Sequence, residues 1–260
     1  MLKQLFEQLP PGSFTYEDAE VIVRSLNRVK AIKGDCLEIG SDLGRSSTFI
    51  AEIIKDNSHL FCVDIWSNKT WNEIASQLGE KAATYPRRDP RAFEIFKSNI
   101  KKRGLDAVVT PIRNKSEEAI KEFKNPLKFI FIDGCHEYEH VKKDIEWIEY
   151  LVEGGEVVFH DYTASWPGVK SAVNEFASNH SFKLVDNGGN CICFTKRIRE
   201  HSVSSSLEQP LASVYSSGSR RIKIAAVTMV YNEALLLPHF IRHYEYLDEI
   251  YVLYETDSTD

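Results

Sequence analysis

The sequence lacks an apolar run long enough to cross a membrane, since no window approaches about 20 consecutive apolar residues. Its first stretch, MLKQLFEQLPPGSF, has charges and a Pro-Pro pair where a secretory leader needs an unbroken apolar segment. The five cysteines form no C-x-x-C pair, and most of them fall in apolar, strand-like runs. We therefore expect a cytoplasmic protein without a membrane span, with reduced and buried cysteines.

Concentrated positive charge is also missing. The net charge is −6, and no dense block of Lys and Arg stands out. Such a surface provides no long-range attraction for nucleic acid, so we expect no nucleic-acid partner. The 43% hydrophobic content of the 260 residues is sufficient for a full core.

Short β-type runs alternate with helical patterns from residue 35 to about residue 195, which predicts βαβ units. The predicted strands are 36–39, 60–63, 108–112, 128–132 and 156–159, and the predicted helices are 46–54, 91–102, 141–152 and 167–176. Gly154-Gly155 is interpreted as the end of the helix over 141–152. Residues 182–185 and 191–195 predict a closing antiparallel hairpin. The expected fold class is α/β, a doubly wound, Rossmann-like, mostly parallel sheet.

Composition divides the chain into three parts. Residues 1–200 are expected to form one domain, and the serine-rich HSVSSSLEQPLASVYSSGS predicts a linker over 201–220. A new strand–helix–strand pattern occupies 221–260, with strands over 222–230 and 249–254 and a helix over 234–246. Two strands and one helix are too few to form a complete domain, so we expect an incomplete α/β segment.

An acidic residue, Glu38, stands near the end of the first predicted strand, where a dinucleotide-binding fingerprint has its first glycine. A pyrophosphate needs close backbone amides, whereas a cofactor with a cationic amino-acid tail and ribose hydroxyls also needs acceptors. Asp64 closes the second strand, and the two acids are expected to share one crevice. The alternatives are an ordinary polar strand end at Glu38, a cap at Asp64, and an NAD-dependent oxidoreductase, against which the missing glycine argues.

The pattern EIGSDLGRSS followed by VDIW, and continued in FIDGCHEYEHV, EGGEVVFHDY and PGVKSAV, resembles class I S-adenosylmethionine-dependent methyltransferases of the small-molecule O-methyltransferase branch. The resemblance implies S-adenosylmethionine as cofactor and a hydroxyl of a small molecule as acceptor. It implies that Glu38, Gly40, Ser41 and Ser46 surround the methionine part, that Asp64 holds the ribose and that Ser116 borders the adenine. The expected cofactor-binding residues are Glu38, Gly40, Ser41, Gly44, Ser46, Asp64, Ile65, Trp66, Ser116 and Asp133.

Asp133 follows the fourth predicted strand and His160-Asp161 follow the fifth, at the sheet edge where such folds bind ligands. In related O-methyltransferases, residues matching these three bind a divalent cation, which lowers the pKa of the substrate hydroxyl. Here a histidine replaces the usual carboxylate at position 160, and Mg²⁺ prefers oxygen ligands. A metal site at Asp133, His160 and Asp161 and a metal-free mechanism both remain open.

In the metal-free mechanism, His136 or His160 takes the proton from the acceptor hydroxyl as it attacks the sulfonium methyl group. The expected catalytic residues are His136, His160 and Asp161, with His136 preferred as the base. The structural alternative is that His160 and Asp161 only fix a loop and that His136 only packs at a helix start. Trp166, in the same region, is expected either to line an acceptor pocket or to cover the sheet end.

The last 40 residues carry a second resemblance. AAVTMVYNEALLLPHFIRHY and IYVLYETDSTD resemble the opening of family 2 glycosyltransferases with the GT-A fold, with Asn232-Glu233 after the first strand and Glu255, Ser258 and Asp260 in the nucleotide-binding turn. The acidic metal-binding motif of that family would lie beyond Asp260, so we expect a truncated, inactive start.

This second resemblance favours a sugar or glycan precursor as the acceptor. A natural-product hydroxyl is the alternative, and a noncatalytic cofactor-binding module attached to a glycosyltransferase is another. Many methyltransferase relatives are oligomeric, which adds a homo-oligomer to the expectations.

Overall fold

The structure is a computed structural model that describes residues 2–67, 72, 76, 89–178 and 181–198, together with the backbone of 225–230 and 249–254. The chain divides into two compact units, Met1–Glu200 and His201–Asp260. Within these described ranges, no helix has the length and apolar character needed to cross a membrane.

The first unit alternates strands and helices. Its strands are β1 (Asp35–Ile39), β2 (Leu60–Asp64), β3 (Val109–Arg113), β4 (Leu127–Ile132), β5 (Leu151–Phe159), β6 (Phe182–Gly188) and β7 (Cys191–Lys196). Its helices are α1 (Leu2–Glu7), α2 (Tyr16–Arg28), α3 (Arg45–Ile54), α4 (Ala92–Lys102), α5 (Ser116–Ala119), α6 (Tyr138–Ile145) and α7 (Pro167–Ala177), and two 3₁₀ turns are Ile120–Glu122 and Glu146–Tyr150.

The seven strands form one sheet in the order β3-β2-β1-β4-β5-β7-β6. Strands β1 to β5 pair in parallel, and β7 runs antiparallel to both β5 and β6. The direction in which strands are added reverses between β1 and β4, which makes the sheet doubly wound. The predicted fold class is confirmed, and the carboxyl ends of β1, β2, β4 and β5 meet at one edge.

The apolar run LKFIFI explains why β4 is central, since all six of its residues are buried. Phe129 and Phe131 belong to an apolar cluster that includes residues of α2, α3 and α4. Ile130 and Ile132 belong to a second cluster that includes residues of α6 and α7. Helices therefore cover both faces of the sheet and leave its carboxyl edge for the site.

The start of β5 differs from the prediction. The strand begins at Leu151 rather than at residue 156, and the helix before it ends at Ile145 and continues as a 3₁₀ turn. Gly154, at φ +75°, lies where the pairing of β5 with β4 shifts register. The glycine pair therefore accommodates an irregularity inside a strand and does not end a helix.

Helix α2 was not among the predicted elements. Thr15 caps it: the Thr15 hydroxyl accepts a hydrogen bond from the Asp18 amide, and the Asp18 carboxylate accepts one from the Thr15 amide. Its apolar face contributes Val21, Ile22 and Leu26 to the core. The same packing buries Asp18 completely beneath the sheet edge.

In the second unit, β8 (Ala225–Val230) pairs in parallel with β9 (Glu249–Tyr254). Parallel pairing of consecutive strands requires a crossover connection, as in α/β proteins. The predicted linker over 201–220, the predicted helix over 234–246 and the singled-out residues Asn232, Glu233, Glu255, Ser258 and Asp260 lie outside the described residues.

Candidate active site

Gly40, directly after β1, brings three strand ends together. Its φ is +90°, and a Cβ atom at this position would lie 2.0 Å from the carbonyl oxygen of Asp133. The Gly40 amide donates to the carbonyl of Val63, and the Asp133 amide donates to that of Ile39, each at 2.9 Å. Because only glycine fits this approach, the turns after β1 and β4 lie in direct contact.

Strained backbone concentrates at the same edge. Among the residues that the structure describes, the non-glycine residues with positive φ are Asp42, Trp66 and Asp161, which follow β1, β2 and β5. Such conformations cost about 1–3 kcal/mol each and cluster at functional sites. The strain therefore marks this sheet edge as the candidate active site.

Glu38 supplies a buried carboxyl group beneath the turn after β1. Its Oε2 atom accepts a hydrogen bond from the Ser47 hydroxyl and lies 3.6 Å from the Cys62 sulfur. Burial raises the pKa of Glu38 to about 7, although the hydroxyls of Ser46, Ser47 and Ser41 lower it. Glu38 Oε1 and Ser41 Oγ are both buried and lack a partner with hydrogen-bond geometry within the described part of the chain.

These two atoms fit the cofactor that the resemblance implies. The amino-acid tail of S-adenosylmethionine carries an ammonium group, which needs acceptors, and a carboxylate, which needs donors. Glu38 can accept, and Ser41 can do either. Gly44, at φ +86°, begins α3 beside them and allows the close approach of Phe96, which a Cβ atom would meet at 2.9 Å.

Asp64, at the end of β2, is 4% exposed. Its Oδ2 atom accepts a hydrogen bond from the Asp42 amide at 2.9 Å, and its Oδ1 atom accepts one from the Trp66 amide at 3.0 Å. The Trp66 indole donates to the Asp42 carbonyl at 2.7 Å and packs on Phe96. Asp64 thus joins the turns after β1 and β2.

A cleft of about 520 Å³ lies beside the ends of β2 and β3, and Ile65, Ser67 and Glu117 contribute to its lining. Ser116, the residue expected next to adenine, lies beside this cleft but is not part of its lining. The Ser116 hydroxyl accepts from the Trp147 indole at 2.8 Å and hydrogen-bonds to the buried Asp144. Its position is therefore fixed from behind the cleft.

His160, after β5, is 4% exposed and lies among three carboxylates. Its Nδ1 atom is 3.0 Å from Asp133 Oδ1 and 3.3 Å from Asp161 Oδ2, and its Nε2 atom is 3.1 Å from Asp18 Oδ2. Burial lowers the pKa of His160, but these three carboxylates outweigh it and raise the pKa far above its ordinary value. Ionised carboxylates only accept, so this geometry favours the imidazolium form, in which both ring nitrogens donate.

His136 lies on the other side of the same acids and is more exposed, with 17% of its side chain accessible against 3% for His160. Its Nε2 atom is 3.0 Å from Asp161 Oδ2 and 3.8 Å from Asp133 Oδ1. Burial lowers its pKa, but the two carboxylates outweigh it and raise the pKa to about 9. The Trp166 ring lies 4.1 Å from the His136 ring, centroid to centroid.

The predicted metal site does not suit a metal ion. Potential ligand atoms of Asp133, His160 and Asp161 lie within 4.8 Å of one another, close enough for one ion. A histidine ligand needs a free lone pair on nitrogen, and both nitrogens of His160 donate to carboxylates. An imidazolium would also repel Mg²⁺, which prefers oxygen ligands. In the imidazolium form His160 also has no lone pair with which to act as a base.

Asp18 is the residue at this edge that the sequence analysis missed. Besides bonding to His160, it accepts a hydrogen bond from the Asn190 amide at 2.7 Å, in the turn between β6 and β7. The segment Thr15-Tyr16-Glu17-Asp18 has the capping-box pattern, which predicts a helix start. A local pattern of this kind carries no information on which distant histidine the acid will meet.

The comparisons with known proteins agree with this fold. Residues 37–162 match the family model of a methyltransferase domain. No curated protein matches the sequence. Solved structures similar to the chain include the O-methyltransferase NovP, at 17% identity and TM-score 0.58 over 76% of this chain and 88% of NovP.

Two further solved structures are similar. Cofactor-bound Rv0187 from MTB is 11% identical, with TM-score 0.53 over 76% of this chain and 88% of its own. The calicheamicin methyltransferase CalS11 is 15% identical, with TM-score 0.51 over 75% and 89%. At these identities the likeness establishes the fold alone. The family match shows that residues 37–162 are similar to a methyltransferase domain.

Proposed function

We propose that the first unit transfers the methyl group of S-adenosylmethionine to a hydroxyl oxygen of a small molecule, with a sugar or glycan precursor as the first acceptor class to test. The observation that carries the proposal is the His136–Asp161 pair, 3.0 Å apart, at the carboxyl edge of a methyltransferase-type sheet. The backbone of Asp133 packs on Gly40, so the pair lies next to the turn expected to hold the cofactor.

The cofactor would be held by the turn after β1. Glu38 Oε1 and Ser41 Oγ, which are both buried beneath this turn, would bind its amino-acid tail. Asp64 would accept hydrogen bonds from the ribose hydroxyls, and the cleft near Ile65 would receive the adenine. When bound, S-adenosylmethionine supplies a methyl group on a positively charged sulfur, which an oxygen nucleophile can displace.

The chain's contribution to the reaction is a base and its orientation. The neutral imidazole of His136 accepts the proton of the acceptor hydroxyl as the oxygen forms its bond to the methyl carbon and the carbon–sulfur bond breaks. Asp161 holds the ring in place and stabilises the imidazolium that results. Holding the hydroxyl and the methyl group in line is the second contribution, and Trp166 against His136 is placed to form one wall of the acceptor pocket.

A sugar acceptor is supported by the second unit. The tail sequence resembles the start of a glycosyltransferase, and β8 and β9 pair in parallel as the strands of an α/β domain do. A protein that joins the two activities would act on glycans or their precursors. This argument rests only on the presence of the two units in one chain. The acceptors to be tested must therefore also include natural products with hydroxyl groups.

The test begins with calorimetric titration of the full chain with S-adenosylmethionine and, separately, with NAD. Transfer of a radiolabelled methyl group to sugars, nucleotide sugars and phenols is then measured for the wild type and for His136→Asn. We expect saturable binding of S-adenosylmethionine alone, and transfer that the variant loses. Binding without transfer to any acceptor would favour a noncatalytic module, and binding of NAD instead would refute the proposal.

A further inference from the structure

The three acids of the site surround one cation that belongs to the chain itself. Asp133 and Asp161 lie on one side of the His160 ring and Asp18 on the other, and all three oxygen atoms are within 3.3 Å of a ring nitrogen. Because each nitrogen donates to a carboxylate, the ring carries a positive charge. Its single positive charge partly offsets the negative charges of Asp133 and Asp161, the same two acids that lie against His136.

Asp18 cannot turn away from this position. Its carboxylate also accepts from the amides of Thr15 and Asn190, at 2.8 and 2.7 Å. A Cβ atom at Gly189 would lie 2.4 Å from Asp18 Oδ1, so the hairpin turn packs directly on the acid. Helix α2 and the hairpin therefore hold one carboxylate behind His160, on the side away from the acids of the site.

We propose that the His160 imidazolium, held in position by Asp18, takes the place of a divalent metal ion in this site. Asp18 is then a positioning residue for His136. Only the kinetic consequence of this inference rests on the proposed methyl transfer. Without the hydrogen bond to Asp18, the His160 ring is free to rotate. Asp133 and Asp161 then lose the partner that fixes them against His136. The base then loses its orientation, which costs rate rather than cofactor affinity.

The first experiment uses the wild-type full chain and needs no activity. Nitrogen-15-labelled histidine and proton NMR at neutral pH should show two ring N–H signals for His160, and titration with Mn²⁺ followed by electron paramagnetic resonance should show no bound ion. Removal of metal with a chelator should leave both observations unchanged. Stoichiometric Mn²⁺ binding with loss of the His160 N–H signals would overturn the proposal.

The second experiment separates positioning from helix stability. Asp18→Asn replaces the acceptor of His160, whereas Thr15→Ala weakens the same helix cap and leaves the Asp18–His160 bond in place. We expect Asp18→Asn to lower kcat by about tenfold to a hundredfold with the KM for S-adenosylmethionine unchanged. The His160 Nε2–H signal should shift, because a neutral amide oxygen is a weaker acceptor than a carboxylate. Thr15→Ala should retain kcat and both signals.

Equal kinetic losses in the two variants would show that Asp18 only caps the helix, and would refute its positioning role. The outcomes for the two proposals stay distinguishable. If the wild type transfers no methyl group to any acceptor, the proposed function fails, while the N–H signals and the Mn²⁺ titration still decide whether His160 is the cation of the site.

Discussion

The Nε2 atom of His136 lies 3.0 Å from Asp161 Oδ2, and this pair determines how the site should respond to pH. The neighbouring carboxylates raise the pKa of His136 to about 9, against the lowering effect of burial. A base must be neutral to accept a proton, and the neutral fraction grows as the pH rises towards that value. We therefore expect activity to be controlled by deprotonation of the His136 imidazolium.

We predict that kcat/KM rises with pH and levels off above about pH 9, as expected for one deprotonation. Asp161→Asn should move the inflection to lower pH, because it removes a carboxylate that stabilises the imidazolium. His140→Asn is the matched control, since His140 lies in the same helix region and its pKa is lowered by burial. A flat profile, or one that His140→Asn alters as strongly, would contradict the assignment of the base.

Replacement of His136 should remove catalysis but leave cofactor binding. General-base groups contribute about 10²–10⁴-fold in rate. We expect His136→Asn to reduce kcat by a factor in that range, with the dissociation constant for S-adenosylmethionine unchanged by calorimetry. His59→Asn serves as the control, because His59 hydrogen-bonds to Thr110 at 2.8 Å, at the opposite end of β2 from Asp64. A His136→Asn variant of normal rate would exclude this residue as the base.

The carboxyl group of Glu38 should contribute to cofactor affinity. Glu38→Gln retains the size of the side chain and its contact with Ser47 but removes the negative charge. Hydrogen bonds to charged groups contribute about 1.5–3 kcal/mol, so affinity for S-adenosylmethionine should fall by roughly tenfold or more. Asp35→Asn, at the other end of the same strand, should bind normally. Unchanged affinity in Glu38→Gln would remove Glu38 from the cofactor site.

The sequence was sufficient to predict the sheet and where its functional edge lies. Apolar runs such as LKFIFI identify buried strands, and in a parallel sheet the residues that follow them must share one edge, which places Asp133 and His160 together. The start of β5 was predicted wrongly because Gly154 with Gly155 satisfies a helix-end pattern as well as a strand irregularity.

The charge state of His160 was beyond prediction from local patterns. It depends on Asp18, which is 142 positions away in sequence and reaches the ring only through the packing of α2 on the β6–β7 hairpin. The resemblance implied that Ser116 borders the adenine, and the residue lies beside the cleft without lining it. Its bond to Trp147 is a tertiary contact that no motif encodes.

A glycine pair tests the contact between the turns after β1 and β4. Gly40 and Gly104 both have positive φ, so alanine is strained at either position by about 1–2 kcal/mol. Only at Gly40 does the new Cβ atom meet the chain, 2.0 Å from the Asp133 carbonyl, whereas nothing lies within 4 Å at Gly104. Gly40→Ala should cost about 1–3 kcal/mol more in the free energy of unfolding by urea, and equal losses would contradict the close approach.

Asp144 should make stability depend on pH in a defined direction. It is buried against Ser116, and burial raises its pKa to about 7. A raised pKa means that the folded state favours the protonated acid, so this stabilisation is complete at pH values below the ordinary pKa of aspartate. It is lost as the pH rises through about 7, because the unfolded chain releases the proton more readily.

Asp144→Asn keeps the hydrogen-bonding capacity of the side chain and removes its titration. The free energy of unfolding of the wild type, measured in urea between about pH 5 and pH 8, should fall relative to the variant as the pH increases. The free energy of unfolding of Asp144→Asn relative to that of the wild type should therefore be highest near pH 8. Asp35→Asn, at the start of β1, should follow the wild-type curve. A constant difference between Asp144→Asn and the wild type across this range would show that Asp144 is ionised throughout, held by partners that outweigh its burial.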